Sequence, residues 1–169
     1  LPEFKIVQKY AGICGSEMEE DKLGGKERWQ QMITVILVSH GGMAKGMVES
    51  TTMLIGEQPD LAFITFEPED GVEDLTAKVE EKLKEALAGG EAIVMTDIPN
   101  GTPFNCVSRL MEHYRFRHLT GMNLPMVVDV VSQLGEDASA EQLCEGTLKP
   151  SREAMIDVNA WMKELGILE

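Results

Sequence analysis

A chain of 169 residues is long enough for one domain with a sizeable core and too short for two ordinary ones. Fifteen basic against twenty-nine acidic residues leave a net charge of -14, which argues against nonspecific binding to nucleic acid or an anionic membrane and favours basic protein partners. The 43% hydrophobic content is globular, no apolar run approaches the roughly 20 residues that span a bilayer, and the first thirty residues lack a signal-peptide design, so a soluble cytosolic protein is expected.

Residues 1–31 mix turn residues and charge without a sustained period, whereas the pattern after them is regular. Met32 stands directly before the first clean strand, so residues 1–31 read as a non-native or flexible N-terminal extension and residues 32–169 as the folded domain. Five of the six residues from Ile33 to Val38 are apolar and β-branched or leucine, as in a strand covered on both faces, and the run to Ser39 ends at His40 and a glycine pair, Gly41-Gly42. Met43 to Ile55 reads as a helix closed by Gly56, and Leu61 to Phe66 as a second strand. Val72, Leu75, Val79, Leu83, Ala86 and Leu87 recur at helical spacing up to Gly89-Gly90.

A third strand, Ala92 to Thr96, ends on Asp97; Ile98-Pro99-Asn100-Gly101 is then a turn by composition. Thr102-Pro103 reads as the cap and first position of a helix reaching about Tyr114. A short strand is expected from His118 to Met122, a helix from Pro125 to Val131, and mostly helix from Ala140 to Leu165 with a break or restart at Pro150. The three cysteines, Cys14, Cys106 and Cys144, show no metal-ligand spacing and read as reduced thiols. Asp70, Asp129 and Asp137 have no second ligand at useful spacing, and no metal or cofactor is expected. The methionines, Met47, Met53, Met111, Met155 and Met162 among them, read as core filling at apolar helical positions.

Strand-helix alternation of this kind predicts an α/β fold, a doubly wound and mainly parallel sheet with right-handed crossovers and helices on both faces. Chemistry in such sheets gathers at the carboxyl ends of the strands, where strand order reverses. His40 and Asp97 both follow strand ends, so two passes of the chain bring an imidazole and a carboxylate to one rim. A carboxylate bonded to one ring nitrogen fixes the tautomer and leaves the other nitrogen free to attack. Gly41, Gly42, Gly101 and the Thr102 hydroxyl add donors suited to a phosphoryl group at helix starts. Taken alone, His40 also fits a partly exposed histidine at a strand-to-helix turn.

The segments SHGGMAKGM, MLIGEQ, TDIPNGTPFN and GMNLPM occur in the order and at the spacings of the mannose-type enzyme IIA of the bacterial phosphoenolpyruvate-dependent sugar phosphotransferase system, which the chain resembles from Met32 to about Trp161. The resemblance implies a phosphocarrier and phosphotransferase. The histidine matching His40 accepts a phosphoryl group on Nε2 from the carrier HPr and passes it to a IIB component, which serves the membrane subunits IIC and IID. The carboxylate matching Asp97 bonds Nδ1, and the hydroxyl matching Thr102 lies beside the phosphoryl site. It also implies a homodimer with an antiparallel C-terminal strand exchanged between partners. Gly42 and Pro99 stand where tryptophans occur near the site in that family, so the rim that meets partners is expected to differ.

Two rivals carry other roles: a phosphorylation-dependent regulatory module of similar fold, and the phosphoryl-donor subunit of dihydroxyacetone kinase. The absence of a DNA-binding or ATPase segment up to Glu169 counts against the first, the TDIPNGTPFN segment against the second. With no IIB domain following, a free-standing IIA is expected. Lys45 and Arg109, one or two turns beyond the site loops, are candidates for facing a partner, and His113 and His118, beside Arg115 and Arg117, read as a solvated helix end and loop.

Overall fold

The computed structural model describes residues 32–135 and 137–169, so the expected N-terminal extension lies outside the described residues. Four strands, β1 (Met32–His40), β2 (Leu61–Phe66), β3 (Gly90–Thr96) and β4 (Arg117–Thr120), form one parallel sheet in the order β2-β1-β3-β4. Among the described residues six helices follow or separate them: α1 (Met43–Ile55), α2 (Val72–Gly89), α3 (Thr102–Leu110), α4 (Leu124–Val131), α5 (Ala140–Glu153) and α6 (Val158–Glu164).

Alternation along the central strands decides which helix lies where. Val35 and Leu37 of β1, with Ile93 and Met95 of β3, meet α1, α4 and α5 on one face through Ala44, Val127, Val130, Leu143 and Cys144. Ile36, Val38 and Val94 point the other way, against Leu75, Val79 and Leu83 of α2 and Val107 and Leu110 of α3. β1 is apolar at both parities because both faces are covered, and each fully buried Val, Leu or Ile contributes about 1.5–3 kcal/mol. The doubly wound, parallel α/β arrangement expected from the sequence is the one present.

Several local expectations need correction. α3 is capped by Gly101 rather than Thr102, which is its first helical residue, and it ends at Leu110, with Met111, Glu112 and His113 tightening into three-residue turn bonds instead of continuing to Tyr114. Pro150 does not break the chain: α5 runs through it to Glu153, and the Ser151 hydroxyl donates to the Thr147 carbonyl at 2.6 Å within the turn that proline weakens. From Ala140 onward the chain forms α5 and α6 and no strand, so the C-terminal strand implied by the resemblance is absent from this single chain. Asp157 explains the local choice, since its carboxylate accepts the N–H groups of Asn159 and Ala160 and starts α6.

The methionine expectation also fails in part. Met95, Met122 and Met126 are in the core, but Met53 is 90% exposed, Met155 is 71% exposed and Met111 is exposed as well. Helical spacing marks a side of a helix without showing that anything covers it. α6 buries none of its residues.

Candidate functional site

The chain leaves β1 toward β2 on one side and later returns to β3 on the other, so strand order reverses between β1 and β3. A crevice opens outside the carboxyl ends of the strands at such a point. His40 is the last residue of β1 and Asp97 the first beyond β3, which brings two residues 57 positions apart into direct contact.

Asp97 Oδ2 accepts two hydrogen bonds from His40, one from the backbone N–H at 2.8 Å and one from ring Nδ1 at 2.7 Å. Its other oxygen, Oδ1, accepts the Ile98 N–H at 2.8 Å. Burial pushes the Asp97 carboxyl up, but the His40 N–H, the His40 ring and the Ile98 N–H outweigh it and hold the group below the ordinary value of 3.8. An ionised carboxylate only accepts hydrogen bonds, so the proton belongs on Nδ1 and the lone pair on Nε2. The Asp97 side chain is 7% exposed and the His40 side chain 41%, so the carboxylate is buried and the imidazole is open.

Three further contacts fix the imidazole and its loop. The Phe66 ring at the end of β2 meets it edge-on, with centroids 5.9 Å apart and planes at 67°. A Cβ on Gly101 would lie 2.8 Å from His40 Cε1, so only glycine lets the ring lie against the start of α3. Behind the ring, the buried Ser39 hydroxyl accepts the Ala44 N–H at 2.7 Å, anchoring the first turn of α1 that its cap residue Gly42 leaves without a side-chain bond. Ser39, Phe66 and the steric need for Gly101 were not legible as site features; the serine before HGG was the one visible signal.

Gly41 has a φ of +50°, a conformation that favours glycine, and its N–H donates to the Phe66 carbonyl at 2.9 Å. That bond corrects its expected role: Gly41 turns the chain and its N–H is committed within the fold. Gly42 and Gly101 cap α1 and α3. Thr102 lies half-buried in the first turn of α3, where the positive end of the helix dipole adjoins the His40 ring. Exposed Met43 and Ile98 stand beside the site, one after each loop.

The remaining candidates lie elsewhere or differ from expectation. Lys45 pairs with Glu49 one turn along α1 at 3.8 Å, and Arg109 is in the last turn of α3. Arg117 pairs with Glu141 at 3.0 Å, and His113 and Arg115 are exposed, but His118 lies half-buried within β4 and burial pushes its pKa down to about 4. Among the described residues no three His, Cys, Asp or Glu side chains gather as a metal set.

Known proteins are similar to this chain in sequence and fold. A family model described as the PTS system fructose IIA component matches residues 34–148. The mannose-specific EIIAB component of Escherichia coli K12 is 29% identical over 126 residues, which are 73% of this chain and 38% of that protein, so the chain spans well under half of its length. The sorbose-specific EIIA component of Lacticaseibacillus casei is 30% identical over 120 residues, 70% of this chain and 86% of the relative. The crystal structure of EIIA from Streptococcus agalactiae superposes with a TM-score of 0.70 at 27% identity, covering 76% of this chain and 99% of that one. The chain belongs to the fructose IIA component family of the phosphoenolpyruvate-dependent sugar phosphotransferase system.

Proposed function

We propose that the chain is a phosphocarrier whose His40 accepts a phosphoryl group on Nε2 from phosphorylated HPr and hands it to a IIB component, for sugar entering through IIC and IID. The observation that carries this reading is the buried Asp97 carboxylate on His40 Nδ1 at 2.7 Å, with the ring itself open at the switch point of the sheet. The Nε2 lone pair forms the new bond to phosphorus as the donor's P–N bond breaks and its electron pair returns to the donor ring. Positive character then develops on His40, where the Asp97 carboxylate stabilises it. Thr102 and the start of α3 favour the phosphoryl oxygens, and the rest of the rate comes from holding the two reactants in line. Met43 and Ile98, both exposed, supply apolar ground for the protein partners.

No cofactor or metal enters this scheme, and the protein works in the cytoplasm, with nucleic acid playing no part. Its working form is a homodimer. Met155, Ile156, Val158, Ile167 and Leu168 are all exposed around a helix that buries nothing, and a second copy of the chain is the occupant that would cover them. Sedimentation of the wild type should give a dimer and that of Ile156→Asp with Leu168→Asp a monomer.

The phosphoryl step is tested by incubating the protein with labelled phosphoenolpyruvate, enzyme I and HPr. An acid-labile, base-stable label should appear, vanish in His40→Ala, and leave the wild type when a IIB domain is added. A label that persists in His40→Ala would refute the assignment, and one that no IIB domain removes would favour a regulatory module.

A further inference from the structure

A second histidine lies two strands from His40, across β3, and takes no part in the step just described. His118 is in β4, where the register sets it beside Val94, on the sheet face covered by α3. A polar ring among apolar side chains costs desolvation, which is why burial pushes its pKa from the ordinary 6.5 down to about 4 and keeps it neutral. Its contacts point in one direction. Nε2 is 3.0 Å from the hydroxyl of Thr96, a fully buried residue directly before Asp97 whose carbonyl also accepts the Met122 N–H at 3.1 Å. The ring lies 5.1 Å from that of Phe104, tilted by 42°, and Phe104 is in the first turn of α3, two residues after Thr102. One side chain therefore touches both elements that flank Asp97, the strand before it and the helix after it.

We infer that His118 is a positioning residue for His40: through Thr96 it fixes the end of β3 that carries Asp97, and through Phe104 it fixes the start of α3 that carries Gly101 and Thr102. The inference rests on the phosphocarrier reading for its kinetic consequence, not for its geometry. A displacement of either element moves the carboxylate against Nδ1 or the helix start against the ring, and small misplacements at such a site are expensive.

Two variants separate the contacts. His118→Phe keeps a ring against Phe104 and loses the bond to Thr96, while His118→Gln keeps a polar group for Thr96 and loses the ring. Phosphoryl acceptance should fall about fivefold in kcat in His118→Phe, the worth of one neutral hydrogen bond, with KM for HPr unchanged. His118→Gln should recover part of that loss. The low-field resonance of the His40 Nδ1 proton, read by NMR without any partner, should move in His118→Phe. Folded variants with wild-type kcat and an unmoved resonance would overturn the inference, as would a loss confined to KM. Should the wild type accept no phosphoryl group, the carrier reading fails by itself, and the resonance alone decides the positioning role: moved, it stands; unmoved, it falls.

Discussion

Two histidines end up in strands of one sheet, on either side of β3, and their surroundings give them opposite characters. His40 stands at a strand end with its ring open and a buried carboxylate on Nδ1. His118 is inside a strand with a hydroxyl and a phenyl ring for company and, among the described residues, no carboxylate bonded to it, and burial holds it neutral. What separates them is the partner and the exposure, not the imidazole itself. An orienting carboxylate without solvent access would give an inert ring, and access without a carboxylate an unoriented one.

The comparison breaks most visibly if the carboxylate is neutralised. Asp97 Oδ2 serves two His40 donors and Oδ1 serves Ile98, so the amide of Asp97→Asn, with one oxygen, must turn a donor toward a donor. Rapid-quench measurement of phosphoryl acceptance should show a loss on the order of a hundredfold in a variant that still folds. Acceptance within about threefold of wild type would remove Asp97 as the feature that separates the two histidines.

Acidification sharpens the same contrast. His118 has a folded pKa below its unfolded one, so between pH 6.5 and about 4 the unfolded chain binds the proton that the folded chain refuses, and stability falls as pH falls across that window. Asp97 acts lower down. Its depressed carboxyl stabilises the fold above 3.8 and that contribution is lost only as pH drops through its folded value. Denaturant titrations at a series of pH values should therefore show wild type losing about 2 kcal/mol more than His118→Phe between pH 6.5 and 4, after allowance for partial exposure. Parallel curves would mean that His118 is not held neutral by burial.

A smaller effect is expected where the fold merely makes room for His40. In Gly101→Ala the new Cβ meets His40 Cε1 at 2.8 Å and Ile98 Cγ1 at 3.1 Å. The ring must shift, and acceptance should fall about tenfold with the carboxylate intact. An unchanged rate would show that the ring has more freedom than its contacts imply.

Much of this was legible in the sequence, for identifiable reasons. β-branched runs ending at His40 and Asp97 gave both the strands and the rim, because a doubly wound sheet collects strand ends at one edge. What periodicity could not give is register, and the corrected points depend on it. The commitment of the Gly41 N–H to Phe66 needs β2 beside β1, and the desolvation of His118 needs β4 beneath α3. The exposure of Met53 and Met155 shows the other limit, since spacing assigns a face without assigning what packs on it. The C-terminal strand belonged to the resemblance alone; Asp157 starts a helix there instead.

With Asp97 on Nδ1, the proposed phosphocarrier role leaves Nε2 of His40 as the one atom to be phosphorylated. Phosphorus NMR of the protein phosphorylated through HPr, with the site located by peptide mapping, tests it directly, because the two phosphohistidine isomers differ in shift. The account predicts a single Nε2-phosphohistidine at His40; a phosphoryl group on Nδ1, or on any other residue, would contradict it.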